Sequence, residues 1–145
     1  TIDLVSLTNA VINSLRPIIA ESNLDINFKH NESEILIDAD LEMIKTVIQN
    51  FVTNAIKHAT NQIIINVEKS SKGVSLSVSN NGEMINKTQI EKIWDVFYKT
   101  ELKKHNRLGS SGIGLSIAKN ILMLHHFEYG CNSNKELTTF WFKTK

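Results

Sequence analysis

Three stretches of the chain carry residue types at spacings that could do chemistry. The first is NFVTNAIKH, Asn50 to His58. On a 3.6-residue wheel Ile44, Ile48, Phe51 and Ala55 form one apolar stripe, and Asn50, Asn54 and Lys57 share a border of it, with His58 in between. Asparagine is a poor helix former because its amide competes with the backbone, so two of them at i and i+4 inside a helix need a reason. One reason is a plain solvated face. The other is a cleft edge where two amide oxygens and a lysine face an ion and a phosphate. Hard cations such as Mg²⁺ take oxygen ligands and keep waters and substrate phosphates, so neutral amides suffice.

The second stretch is VSNNGEMI, Val78 to Ile85. Asn81-Gly82 after an alternating strand is a turn signal in its own right. The alternative sets Asn80 at a strand end, aimed into a pocket, with Gly82 letting a flat ring lie near the backbone. The third is LGSSGIGLSIAKN, Leu108 to Asn120. It holds Gly109, Gly112 and Gly114, three of the chain's six glycines, directly before apolar residues at helical spacing. It has no P-loop lysine, and its glycine order does not match a dinucleotide fingerprint. Unpaired N–H groups at a helix N-terminus, reachable past glycines, nevertheless form an anion site. Lys99, Lys103, Lys104 and Arg107 lie just upstream, either as a solvated charge run or as a functional loop.

Helical spacing over residues 7–21 predicts a first helix, and Leu24–Phe28 and Ile35–Ile37 read as short strands. Asp38 or Asp40 caps a long helix over Leu41–Ala59. Two alternating strands, Ile63–Val67 and Val74–Val78, are joined by a hairpin turn at Lys69–Gly73. Thr88 and Glu91 form a capping-box pattern ahead of a short helix through Ile90, Ile93, Trp94 and Phe97. Thr138–Phe142 is the last strand. The expected class is α+β, a two-layer sandwich of a mixed, mostly antiparallel sheet with helices on one face. Trp94, Phe97 and Tyr98 are expected to pack beneath the loop that follows them.

Length sets the expectation of one domain over residues 1–145. A hydrophobic share of 41% with 21% charged residues is that of a soluble globular protein. The net charge of +1 lacks the basic excess of a nucleic-acid binder. No apolar run approaches the ~18 residues of a membrane span, so no direct membrane contact is expected. The single Cys131 excludes an internal disulfide and fits a reducing, cytoplasmic setting, where it serves as a small hydrophobe near a strand. His125 and His126 read as helix-end residues, and His30 and His105 have no partners at ligand spacing. The opening TIDLVSLTNAVI reads as the middle of a longer protein.

Together, in this order, the three stretches resemble the catalytic ATP-binding domain of bacterial sensor histidine kinases, in the Bergerat fold shared with gyrase and the Hsp90 chaperone. Asn50 to His58 is similar to that family's N box, Asn80 to Ile85 to its G1 box, Trp94 to Phe97 to its F box, and Gly109 to Leu115 to its G2 box. The wording NNGE, IWDVFYK, GSSGIGLSIAK, YGCNS and TTFWF is similar to a Gram-positive subgroup that includes vancomycin-resistance-type sensor kinases. The resemblance implies ATP and Mg²⁺ as cofactors. Asn54 would bind the metal with Asn50 assisting, and Lys57 would reach a phosphate. His58 would lie beside the adenine and Asn80 would read its edge, with Gly82 and Ile85 lining the pocket. A lid over residues 86–111 would bring Phe97, Tyr98, Lys99 and Arg107. Gly109, Ser110, Ser111, Gly112, Ile113, Gly114 and Leu115 would cradle the triphosphate. The chain departs from the family's DxGxG pattern at Asn80, in place of Asp, and at Met84, in place of the second Gly.

The implied reaction is transfer of the γ-phosphoryl group of ATP to a histidine on a separate dimerisation domain. Catalysis of that kind is positioning and charge stabilisation, with Asn50, Asn54, Lys57 and Arg107 as the catalytic set. A response regulator would be served indirectly, and the fragment itself would be monomeric, on the cytoplasmic side of a membrane-anchored parent. A rival within the fold is an ATP hydrolase, whose relatives place a Glu four residues before the metal-binding Asn. Here that position is Asn50, and an amide takes no proton at neutral pH. A rival of another class is a nucleotide-sensing module without chemistry. No histidine here sits in the H-E-x-x-x-P-like setting of a phosphoacceptor.

Overall fold

The computed structural model describes residues 1–96, 98 and 113–145. The chain opens with β1 (Ile2–Asp3), α1 (Leu4–Glu21), β2 (Asp25–His30) and β3 (Leu36–Ile37). It continues with α2 (Leu41–His58), β4 (Gln62–Ser70), β5 (Gly73–Asn80) and α3 (Lys87–Ile90), followed by a 3-10 turn at Lys92–Trp94. It ends with α4 (Gly114–Leu124), β6 (Glu128–Ser133) and β7 (Thr138–Lys143). Five strands form one sheet in the order β2-β4-β5-β7-β6, with β2 parallel to β4 and the other pairs antiparallel. β1 and β3 pair separately.

One face of the sheet is apolar because alternation is strict along its central strands. Ile63, Ile65 and Val67 of β4, Leu76 and Val78 of β5, and Phe140 and Phe142 of β7 are buried in register with one another. Asn80 occupies the next position of the same row, paired with Ile63 and Thr138, so the alternation that buries Val78 also turns Asn80 toward the helix layer. α2 lies over this face through Ile44, Val47, Ile48, Phe51, Val52 and Ala55. The Asp40 carboxylate caps it by accepting from Met43 N–H at 2.9 Å, and Lys57 and His58 in the last turn suit the negative pole of the dipole. Trp94 packs into this core, with ring centroids 6.3 Å from Phe51, 5.6 Å from Phe140 and 5.1 Å from Tyr129. Trp94 therefore packs as expected, while most of the loop after it lies outside the described residues.

One local reading is corrected and further features are added. The helix expected around Thr88 and Glu91 is a single turn plus a 3-10 turn, capped by Asn86, whose Oδ1 accepts from Gln89 N–H at 3.1 Å. Thr88 merely donates to the same oxygen. β1 is added at the chain's start, and β6 is a strand, with Cys131 in its middle. On α4 the buried face is Ser116, Ala118, Ile121 and Leu122, whereas Ile117 and Leu124 are exposed. Cys131 is buried, and desolvation pushes its thiol up to about 12, which leaves it unreactive.

Asp3 ties the chain's opening together. Its Oδ1 accepts from Val5 N–H and Ile35 N–H, both at 3.1 Å, and its Oδ2 accepts from the Ser6 hydroxyl at 2.6 Å. Desolvation pulls this carboxyl upward. The bonds from Ser6 and from the backbone of Ile35 and Val5 outweigh it, holding the carboxyl below its ordinary 3.8. A depressed folded pKa contributes stability above the unfolded value that is lost as pH falls through the folded one. Asp3→Asn is therefore expected to melt below the wild type at pH 7. The gap should close as pH falls below the ordinary 3.8. Melting curves from pH 7 to pH 2 decide it, and a gap independent of pH would show that the charge plays no part.

Candidate active site

α2 and α4 run antiparallel and are fastened at both ends. At one end Asn50 Nδ2 donates to the Gly114 carbonyl at 2.9 Å, tying the middle of α2 to the first residue of α4. At the other end His125 Nε2 accepts from Asp40 N–H at 3.1 Å, while its Nδ1 lies 2.8 Å from the Ile121 carbonyl. Accepting through Nε2 requires the proton on Nδ1, so both contacts are satisfied by one neutral tautomer. His125 is thus a bridge between two helices, beyond the helix-end role read from the sequence.

Along α2, Asn50, Asn54, Lys57 and His58 are half-buried, as a cleft edge requires. The side-chain amide of Asn54 makes no hydrogen bond to another described residue. Its oxygen, like Asn50 Oδ1, is an acceptor available to a ligand. α4 begins at Gly114 with Ile113 in the N-cap position, which supplies no side-chain acceptor, whereas Asp3, Asp40 and Asn86 cap the other three helices. First-turn N–H groups without a cap are donors for an anion. Leu115 is partly buried and packs on the core.

The loop after β5 closes the site from the sheet side. Asn80 is 2% exposed, and its Oδ1 accepts from Gly82 N–H at 2.9 Å. Gly82 presses on the last turn of α2: a methyl group there would sit 2.8 Å from the His58 carbonyl carbon and closer still to its oxygen. That close approach is a sufficient reason for glycine at this position. Asn81 holds the chain leaving α2, its Oδ1 accepting from the N–H groups of Thr60, Asn61 and Gln62 at 3.1, 3.1 and 3.0 Å. Nothing local in the sequence marks these bonds, because the partners lie about twenty residues away. Ile85 is buried, and its N–H donates to Ser133 Oγ at 2.8 Å.

The structure therefore brings Asn50, Asn54, Lys57, His58, Asn80, Gly82, Ile113 and Gly114 to the junction of α2, the 80–85 loop and the start of α4. Tyr98 is half-buried against the core. Phe97, Lys99, Arg107, Gly109, Ser110, Ser111 and Gly112 lie outside the described residues. Among the described residues no cluster of three or more His, Cys, Asp or Glu could hold a metal. Asn54 fits a magnesium ion that brings its own waters and phosphate oxygens.

An uncapped helix N-terminus beside an amide-lined helix and a buried strand-end asparagine, on an α+β sandwich, form a candidate anion and nucleotide site. Residues 39–145 match the family described as histidine kinase-, DNA gyrase B- and HSP90-like ATPase, and the chain belongs to that family. It is 30% identical to the sensor histidine kinase YkoH of Bacillus subtilis over 133 residues, covering 92% of this chain and 29% of YkoH. It is 28% identical to the sensor protein VanS of Enterococcus faecium over 113 residues, covering 77% of this chain and 29% of VanS. Among solved structures, the nucleotide-free catalytic domain of histidine kinase ThkA superposes with a TM-score of 0.85 at 28% identity, covering 99% of this chain and 93% of that one. In sequence and fold the chain corresponds to the catalytic domains of sensor histidine kinases, and it spans under a third of the curated relatives described here. Among the described residues no helix is long and apolar enough to cross a membrane.

Proposed function

We propose that this chain binds Mg·ATP at the junction of α2, the 80–85 loop and α4, and passes the γ-phosphoryl group to a histidine on a separate dimerisation domain of the same kinase. The observation that carries this reading is the Asn50–Gly114 bond, which sets the amide row of α2 against the uncapped first turn of α4. Asn54 would hold Mg²⁺, which supplies charge neutralisation on the phosphates. Lys57 and the N–H groups of α4 would orient the phosphate chain, with Lys99 and Arg107 arriving from a lid over residues 86–111. His58, Ile85 and Tyr98 would border the base and Asn80 would meet its edge. Residues 1–145 would act as one domain on the cytoplasmic side of a membrane-anchored parent, with a response regulator downstream. Histidine kinase ThkA has been solved in complex with response regulator protein TrrA.

Hydrolysis is disfavoured on structural grounds. Asn50 stands where a general base would be needed, and its amide already donates to Gly114. Incubation with labelled ATP and an added phosphoacceptor domain tests the proposal. Acid-labile phosphate should appear on the acceptor domain and none on this chain alone. ATP binding without any transfer would leave a nucleotide-sensing module instead.

Asn80 carries an expectation of its own. With Oδ1 engaged by Gly82 N–H, the other end of the amide is a donor, which suits a carbonyl oxygen better than the amine of adenine. In Asn80→Asp one carboxylate oxygen keeps the Gly82 bond and the other offers adenine a charge-assisted acceptor, about twice as strong as a neutral one. ATP should bind up to about tenfold more tightly, from a neutral bond's net worth of ~0.5–1.5 kcal/mol. The ATP-over-GTP ratio should rise, because a carboxylate repels the guanine carbonyl oxygen. Titrating both nucleotides against both variants checks it, and an unchanged ratio would mean that Asn80 does not face the base.

A further inference from the structure

We propose that Asn81 is a positioning residue for nucleotide binding: its side chain fastens the 80–82 segment to the exit of α2 and so sets where Asn80 stands relative to Asn54 and Lys57. The inference rests on the reading of this junction as the nucleotide site. Asn81 Oδ1 receives three consecutive backbone N–H groups, from Thr60, Asn61 and Gln62. An amide oxygen has two lone pairs, so three donors at 3.0–3.1 Å use its whole accepting capacity. The other end of the amide is also engaged, Nδ2 donating to Asn61 Oδ1 at 2.7 Å. The backbone adds Asn81 N–H to the Gln62 carbonyl at 3.3 Å. Every polar group of this side chain is spent on one short stretch.

That stretch begins where α2 ends. The flanking residues face the site: Asn80 is buried and bonded to Gly82 N–H, and Gly82 rests on the His58 carbonyl of the last α2 turn. The position of the strand end against the helix end is therefore held by contact at Gly82 and by hydrogen bonds at Asn81. Thr60 and Asn61 are exposed, so water can replace Asn81 at their N–H groups if its side chain is removed. Water satisfies the donors but does not hold the two segments together. Losing Asn81 should thus disturb geometry more than stability, and geometry is what a positioned site depends on.

Asn31 provides a matched control. Its amide spans the far end of β4 in the same manner, Nδ2 donating to the Lys69 carbonyl at 2.9 Å and Oδ1 accepting from Lys69 N–H at 3.0 Å. The experiment titrates Mg and a non-hydrolysable ATP analogue into the wild type, Asn81→Ala, Asn81→Asp and Asn31→Ala, at a temperature where all are folded. Asn81→Ala should bind about tenfold more weakly. Asn81→Asp should stay within about threefold of wild type, because a carboxylate oxygen accepts the same three N–H groups and the Asn61 amide can turn over to donate to the other oxygen. Asn31→Ala should bind as the wild type does, whatever its melting temperature. If Asn81→Ala does not fold, Asn81→Ser takes its place under the same tenfold criterion. Unchanged affinity in the Asn81 variant would overturn the proposal, as would equal weakening by Asn31→Ala. A wild type that binds no nucleotide would overturn the nucleotide-site reading, and this inference with it.

Discussion

Asn54→Ala is expected to lower phosphoryl transfer to an acceptor domain by roughly 10²–10³-fold, the loss typical of one electrostatic stabiliser of transition-state charge, about 2.7–4 kcal/mol. Stability should barely change. Asn54 is half-buried, its amide bonds no other described residue, and it lies on the border of the stripe that carries Ile48, Phe51, Val52 and Ala55 into the core. Alanine is also a better helix former than asparagine, by up to ~0.7 kcal/mol, so the melting point should hold or rise slightly. Few substitutions separate activity from stability in this direction. Single-turnover transfer at saturating nucleotide, read beside a thermal melt, checks both halves. Transfer within threefold of wild type would remove Asn54 from the metal site.

The helix border and the strand alternation were legible because each rests on local periodicity. Ile44, Ile48, Phe51 and Ala55 repeat at helical spacing and are all buried. Leu76, Val78 and then Asn80 repeat at strand spacing, which is why a polar residue at the end of that row could be read as aimed inward. β6 was missed because its inward residues, Tyr129 and Cys131, alternate with Gly130 and Asn132, both poor strand formers; pairing with β7 supplies what local preference does not. The short helix was placed too late because Asn86 and Thr88 are both competent caps, and which of them accepts from the backbone depends on how the preceding loop arrives.

The bonds that join elements were not legible at all. Asn50 reaches Gly114, His125 reaches Asp40, and Asn81 reaches residues 60–62, each across a sequence gap that no periodicity spans. The Asn50 and Asn81 bonds border the site while the apolar core lies beneath it, and the His125 bond fastens the far ends of α2 and α4. The core fixes the layers, and the polar bonds fix the distances between the groups that would meet nucleotide. A core deletion should therefore act mainly through stability, and loss of one of these bonds mainly through binding.

Gly82→Ala should bring the largest loss of stability among the site substitutions. The added methyl would lie 2.8 Å from the His58 carbonyl carbon and 2.9 Å from Asn80 Oδ1, closer than side-chain carbons approach such atoms. The His58 carbonyl is backbone in the last turn of α2, and the segment that would have to move away is fastened at Asn81, so neither side yields cheaply. Forcing a methyl into such a contact costs typically 1–3 kcal/mol. For a chain of this length ~3 kcal/mol corresponds to a fall in melting temperature of about 6–12 °C. Gly114→Ala is the comparison. There, among the described residues, the methyl would meet the Asn50 side chain at an ordinary 3.4 Å or more, and alanine in a helix gains up to ~1 kcal/mol over glycine. Gly114→Ala should therefore melt at or above the wild type, and any loss of nucleotide affinity in it would come from the phosphate's approach to α4. Thermal melts of the two variants decide the matter: if Gly82→Ala melts as the wild type does, the 80–82 segment has room to move and is not held against α2.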